Sequence, residues 1–245
     1  MAKKTDSKLI DIHTHILPGV DDGAKDMQEA IDLCRLAWEN GTRAILLTPH
    51  YRGVYKSDPA VLQAAYENLC KAVNKELPKM SLYLGNEVRF QTDIGQKIAN
   101  SEILSMAASR YVLLEFSNTA FRTHIITGIL ECLSAEKVPI IAHAERYGAF
   151  RQDPALTEEV LKLGALIQLN ADSVMGKRGF GVKRFCRKLL KTEKVHFIAS
   201  DAHDKKHRPP VLYACYKHIC KKYGEKYAKA IFWKNPRAII ENIKI

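Results

Sequence analysis

Asp11-Ile12-His13-Thr14-His15 is an apolar-edged run that carries two imidazoles toward one point in space. In an extended chain successive side chains alternate faces, so Asp11, His13 and His15 are expected on one side and Ile12, Thr14 and Ile16 on the other. Four more runs repeat the arrangement: residues 44–50, 111–115, 139–143 and 197–203 each carry a strand-like apolar segment up to a metal-capable side chain, namely His50, Glu115, His143 and the pair Asp201 and His203. Residues 82–87 add Glu87 in the same way. A chain that plants nitrogen and oxygen donors on strand after strand is building a metal site. Burying those groups together without cations would cost several kcal/mol per unpaired charge.

The segments between these strands read as helices. Asp26 caps a helix whose apolar positions Ala30, Leu33, Cys34, Ala37 and Trp38 recur at helical spacing and which stops before Asn40-Gly41. Asp58-Pro59 opens a second helix running to residue 77. Helices are also expected over residues 93–107, 122–136, 154–163 and 180–191, strands over 138–143 and 165–170, and a helical remainder from Pro209 with a break near Asn235-Pro236. The alternation predicts a parallel sheet with helical crossovers. An open sheet would gather its site at one switch point, whereas here donors come from six of seven strands. That convergence predicts a closed, seven-stranded variant of the (β/α) barrel with its site at the C-terminal mouth.

At 245 residues the chain is expected to be one domain, residues 1–245, with residues 1–8 a flexible tail. The basic N-terminus is followed by Asp11 and two histidines rather than an apolar stretch, so no signal peptide is read, and no run approaches the ~20 apolar residues of a membrane span. A cytoplasmic location without membrane insertion follows as the expectation. The six cysteines form no CxxC pair, which fits a reducing compartment. None is followed six positions later by arginine, so the phosphate-cradling loop of a cysteine phosphatase is absent. The formal charge of +11 suits anionic partners, such as phosphate esters, nucleic acid or an acidic membrane surface, and on charge alone a merely solvated lysine-rich exterior is an equal alternative.

The candidate metal ligands are His13, His15, Asp22, His50, Glu87, Glu115, His143, Asp201 and His203, and Asp11 is read as a partner that holds an imidazole in its tautomer. The histidines at 124, 196, 207 and 218 lack strand-end positions and are read as surface or helix residues. Imidazole and carboxylate without thiolate suit manganese, iron or zinc. Two or three such ions would lower the pKa of a bridging water and leave hydroxide facing a bound phosphorus. Arg146 and Arg208, each shortly after a candidate ligand, are read as catalytic phosphate clamps, with Arg52 a third substrate-binding candidate.

The motifs Asp11 to His15, Asp22-Gly23, Thr48-Pro49-His50, Gly85-Asn86-Glu87, Leu114-Glu115-Phe116, Ala142-His143-Ala144-Glu145-Arg146 and Ala199-Ser200-Asp201-Ala202-His203 resemble the polymerase and histidinol phosphatase (PHP) superfamily, and within it the CpsB/YwqE-type bacterial tyrosine-protein phosphatases. The resemblance runs over residues 9–242 and implies a distorted seven-stranded PHP barrel with three metal ions, usually manganese. It implies His13, His15, Glu87 and Asp201 around one ion, Glu87, Glu115 and His143 around a second, and Asp22, His50 and His203 around a third. It also implies a protein-tyrosine phosphatase acting on the phosphorylated tyrosine-rich tail of a bacterial tyrosine kinase in exopolysaccharide or capsule regulation. The sequence departs from the pattern in the loop after His50, residues 51–56, where substrate preference would be set. The rival readings are a phosphatase of histidinol phosphate or another small molecule, a PHP-type nuclease and a non-catalytic scaffold. The full ligand set stands against a scaffold, and the lack of an attached nucleic-acid module stands against a nuclease. An amidohydrolase would share the paired histidines of the first strand but rely on a bridging lysine and an eighth strand.

Overall fold

The computed structural model describes residues 7–55 and 57–245. Six residues of the expected flexible tail therefore lie outside the described residues, as does Lys56 of the loop after His50. Ser7 is described, and its hydroxyl donates to the Gly41 carbonyl at 3.0 Å.

The strands are β1 (Leu9–Thr14), β2 (Thr42–Leu47), β3 (His50–Tyr51), β4 (Ser81–Leu84), β5 (Glu87–Arg89), β6 (Tyr111–Glu115), β7 (Val138–Ile141), β8 (Leu166–Asn170) and β9 (Phe197–Ala199). They form two sheets, β1-β2-β4 and β3-β5-β6-β7-β8-β9, and every pairing within them is parallel. Two segments expected as single strands are interrupted, at Thr48-Pro49 and at Gly85-Asn86. Proline has no N–H to give to a ladder, yet neighbouring backbone bonds carry the contact past the break: Gly85 N–H donates to Leu47 O at 2.9 Å and Glu87 N–H to Pro49 O at 3.1 Å. At the other margin the Asp201 N–H donates to His13 O at 3.0 Å and the His15 N–H to Ala202 O at 2.8 Å. The sheets therefore curl toward one another in an α/β half-barrel.

The helices are α1 (Met27–Glu39), α2 (Pro59–Glu76), α3 (Ile94–Ala99), α4 (Arg122–Ser134), α5 (Gly148–Gln152), α6 (Pro154–Lys162), α7 (Ala171–Met175), α8 (Phe180–Lys191), α9 (Tyr213–Tyr223), α10 (Glu225–Lys229) and α11 (Asn235–Ile240). Asp26 caps α1 by accepting from Glu29 N, and Asp58 caps α2 by accepting from Ala60 N. The helix expected over 93–107 is shorter: α3 ends at Ala99, Ser101 turns to a φ of 61°, and only a short 3-10 turn follows at Met106–Ala108. The break expected at Asn235-Pro236 is instead a π-helical stretch, Ala230–Lys234, running into α11. Pro236, whose missing N–H would interrupt a regular α-helix, sits where the wider π turns give way to α11.

Inside the curl, Ile12, Leu46, Leu113, Ile140, Phe197 and Ala199 pack against one another. Outside it, two larger clusters fill the space between strands and helices. The apolar plug leaves the carboxyl ends of the strands as the place where polar side chains gather. Among the described residues, no helix is long and apolar enough to cross a membrane.

Candidate metal centre

The structure brings all nine predicted ligands to the carboxyl ends of the strands and the loops that follow them. Glu87, first residue of β5, is the hub. Its Oε2 lies 2.8 Å from His50 Nδ1, 3.2 Å from His15 Nε2 and 3.3 Å from His13 Nε2, and its Oε1 lies 2.8 Å from His143 Nε2. Asp201 Oδ1 stands 3.5 Å from His13 Nε2 and 3.6 Å from both His15 Nε2 and His203 Nδ1. Asp22 Oδ1 faces His50 Nε2 at 3.3 Å and His203 Nε2 at 3.5 Å. Glu115 is further out, its Oε1 3.8 Å from His143 Nε2.

Donor atoms within 4.8 Å of one another form three overlapping groups: His13, His15 and Glu87; His15, Asp22, His50 and His203; and His50, Glu87 and Glu115. These differ from the grouping the resemblance implies: His15 joins Asp22, His50 joins Glu87 and Glu115, and neither Asp201 nor His143 falls within any of the three groups. Buried His50 Nδ1, Glu87 Oε2 and His203 Nε2 find no hydrogen-bond partner in the protein. Lone pairs converging without donors are what a bound cation would satisfy, so the residues fit a metal of the oxygen and imidazole type.

Backbone strain accompanies the cluster. His143 has φ 32° and Asp201 φ 55°, left-handed conformations that cost non-glycine residues energy and are characteristic of functional positions. Gly23 is required for a different reason, since a Cβ there would fall 1.8 Å from the His15 carbonyl oxygen. The chain passes this close because Gly23 N–H donates to Asp21 Oδ1 and Ala24 N–H to His15 O.

The electrostatics follow from the packing. Burial alone would lower the pKa of His15, but the Asp21 and Glu87 carboxylates outweigh it and push the group up to about 10. Burial would likewise raise Glu87, yet His13 and His50 hold it well below the carboxylate range. His13, Arg146 and His143 do the same for Asp201, again against burial. The His203 and His50 imidazoles facing Asp22 lower its carboxyl. The carboxylates are therefore held as anions, the form in which they bind cations.

Several residues that orient the rings were not anticipated. His13 Nδ1 lies 3.1 Å from Gln168 Oε1, which also accepts from the His143 N–H at 2.9 Å. Gln168 Nε2 donates to Asn170 Oδ1 and Asn170 Nδ2 to Asp201 Oδ2, both on β8. Two polar side chains spaced i, i+2 at the end of an apolar strand were the available signal, hidden because neither is a metal-ligand type. Tyr147 Oη accepts from the Phe116 N–H and stands 3.1 Å from His143 Nδ1. Asp21, not among the candidate residues, is 2.6 Å from His15 Nδ1. Asp11 does not hold an imidazole as expected. The pairing register slips between Asp11 and Thr14, and Asp11 Oδ1 accepts from the Ser200 N–H at 3.0 Å instead.

The arginines surround this cluster. Arg146 Nη2 lies 2.5 Å and Arg208 Nη1 3.7 Å from the two oxygens of Asp201, and Arg52 Nη2 lies 3.3 Å from Asp22 Oδ2. Arg89, which sequence reasoning did not single out, donates from Nε to Glu115 Oε2 at 2.8 Å. Of the remaining histidines, His124 and His207 are exposed, whereas His196 is half-buried and accepts from the Ile167 N–H at 3.1 Å. All six cysteines are unpaired, and four of them are buried.

Fold and site together define an α/β protein whose parallel strands deliver imidazoles and carboxylates to one candidate polynuclear metal centre. The chain belongs to the CpsB/CapC capsular polysaccharide synthesis family, whose model matches residues 9–241. It is 34% identical over 239 residues to the tyrosine-protein phosphatase CpsB of Streptococcus pneumoniae, covering 95% of this chain and 98% of that one. It is 35% identical over 201 residues to the tyrosine-protein phosphatase YwqE of Bacillus subtilis, covering 82% and 79%. A solved structure, reported for YwqE and CpsB as metal-dependent tyrosine phosphatases, superposes with a TM-score of 0.90 at 32% identity over 97% of this chain and 96% of that chain. A lactonase from Listeria monocytogenes superposes with a TM-score of 0.60 at 13% identity, which speaks to the fold alone.

Proposed function

We propose that this chain is a metal-dependent protein-tyrosine phosphatase of capsule synthesis, hydrolysing phosphotyrosine at the centre around Glu87. The observation that carries the reading is the juxtaposition of anionic ligands with Arg146 and Arg208 on Asp201, within a family whose relatives are named tyrosine-protein phosphatases. Divalent ions held by the nine ligands would supply an activated water and neutralise charge on the transferring phosphoryl oxygens. Gln168, Asp21 and Tyr147 fix the rings of His13, His15 and His143, so the donor nitrogens face inward. Arg146 and Arg208 bind and orient the phosphate dianion by their planar forks. Arg52, tied to Asp22 at the rim, contacts the substrate side of the same mouth.

The finer reading is a single domain built on a distorted seven-stranded barrel. It counts β2 with β3 and β4 with β5 as one strand each, and closes through the Thr14 to Ala202 bridge. We infer three manganese ions, a cytoplasmic location and, as substrate, the phosphorylated tyrosine-rich tail of a bacterial tyrosine kinase. The high positive charge supports an anionic partner. The test is kcat/KM with added manganese for a phosphotyrosine peptide, a phosphoserine peptide, histidinol phosphate and a DNA phosphodiester. Preference for the phosphotyrosine peptide is expected. A clear preference for histidinol phosphate, or DNA cleavage at a comparable rate, would overturn the substrate assignment.

A further inference from the structure

The charge of the molecule is concentrated in one part of the chain. Residues 177–229 hold 16 Lys and Arg against 4 Asp and Glu, a net +12, so everything outside that segment sums to −1. The segment contains α8, α9 and α10. Helix α8 turns Cys186, Leu189 and Leu190 into the core and leaves Arg184, Arg187, Lys188 and Lys191 exposed. Arg187 and Lys191 share a cleft of about 270 Å³ with Lys222 and Tyr223 of α9, and Lys217 and Lys221 of α9 line the next hollow together with Lys229 of α10. The three helices therefore present one continuous basic surface. Its acidic members are few: Glu193 lines the first cleft, and Glu225 is already paired with Lys229 at 2.7 Å. At the head of α8 stands Phe180, 80% exposed, next to the exposed Lys177 and Arg178.

We propose that this face docks the protein on a bilayer containing anionic phospholipid, peripherally, with lysine and arginine against the headgroups and Phe180 in the interface. The argument is one of shape and charge. Helix α8 alone extends for ~18 Å, and the basic surface continues sideways over two further helices, an area suited to a broad anionic plane rather than to one extended peptide. Juxtamembrane clusters of four to eight Lys and Arg are the usual headgroup-binding pattern, and an aromatic ring flanked by cations is what an interfacial contact requires. The surface also has a fixed relation to the site. Strand β8, whose Asn170 bonds Asp201 in the candidate centre, leads through α7 to Phe180 at the mouth end of the barrel, and the hollow beside α9 and α10 reaches Ser7, Lys8 and Leu9 at the opposite end, so the face runs along the side of the barrel and leaves the mouth open. The inference does not rest on the phosphatase reading.

The test is co-sedimentation of the full chain with phosphatidylcholine vesicles, with and without phosphatidylglycerol as about a third of the lipid. Binding is expected only to the anionic vesicles, and release is expected at about 0.5 M salt, where the Debye length has shrunk to a few ångströms. The triple variant Arg187→Glu, Lys188→Glu, Lys191→Glu should partition roughly a hundredfold more weakly, and Phe180→Ser several-fold more weakly. Both should keep the wild-type kcat/KM on a short soluble phosphotyrosine peptide, which also reports that they fold. Failure of the wild-type chain to bind anionic vesicles at low salt would overturn the proposal, as would unchanged binding by the triple variant. A triple variant that binds vesicles normally but has a raised KM for a long, multiply phosphorylated tyrosine-rich peptide would assign the face to the peptide instead.

Discussion

Asp21 Oδ2 lies 2.6 Å from His15 Nδ1, and the same oxygen accepts from the His50 N–H at 3.0 Å. One carboxylate thus aims the Nε2 of His15 and anchors the backbone of a second candidate ligand. Asp21→Asn keeps the shape but removes the charge that fixes the imidazole. Apparent metal affinity should fall by about 10- to 100-fold. The check is a metal titration of activity and of bound metal, in which the midpoint moves to higher concentration while activity at saturating metal largely survives.

Glu87 touches four imidazoles, so its loss cannot be confined to one ion site. Glu87→Gln is expected to lower kcat/KM by ~10³-fold or more, because the hub of the water-activating assembly is gone. Chelation should abolish activity, and manganese should restore it. Alkylation of the cysteines should do little, since burial pushes the Cys34 and Cys132 thiols up to about 12 and no cysteine reaches the centre. Full activity after verified removal of metal would contradict the site.

Arg146 and Arg208 are assigned to the phosphate. Replacing either with Ala should reduce kcat/KM by more than about tenfold, the loss of a charged hydrogen bond to the transferring group, while metal content by elemental analysis stays near normal. Arg146→Lys should recover only part of the loss, because a point charge cannot reproduce the fork. Loss of metal in Arg146→Ala would make its pairing with Asp201 a structural one.

His196 supplies a prediction about stability and pH. Burial lowers its pKa to about 4 in the folded chain, and the Ile167 N–H needs its neutral Nδ1 as acceptor. An unfolded histidine takes up its proton near pH 6.5. The folded state binds fewer protons between these values, so the contribution is complete above about pH 6.5 and is lost as pH falls toward 4. The size is about 3 kcal/mol, from ~1.4 kcal/mol per pKa unit. His196→Asn keeps an acceptor without the titration, and urea unfolding across this range should show a shallower acid limb than wild type.

Much of the centre was legible because donor residues at the ends of apolar strands have few other reasons to recur. Glu115 ends β6 and His13 lies near the end of β1 as expected, whereas His50, His143 and Asp201 sit just past the ends of β2, β7 and β9, because those strands are shorter than periodicity predicts. What escaped was set by contacts between distant strands. Gln168 and Asn170 are neutral amides whose importance depends on what faces them, and Asp21 is distinguished from Asp22 only by the turn closed at Gly23. The face of Asp11 was misjudged because alternation assumes an even ladder, and the register slips next to it. Likewise, proline at 236 reads as a stop only until its place at the junction of the π turns with α11 is known.

The pairing of β1 with the end of β9 has a consequence for how the chain comes into being. Asp11 meets Ser200 across 189 residues of sequence, and the backbone bonds joining His13 and His15 to Asp201 and Ala202 span nearly the same interval. At ribosomal speeds of about 5 to 20 residues per second, β1 waits roughly 10 to 40 s for its second neighbour, its paired histidines open to solvent and to stray cations. Contacts this distant also slow the search for the native state. The segment from β9 onward is therefore the clasp: a nascent chain halted before β9 would hold most of the metal-binding side chains and still lack the strand that draws them together.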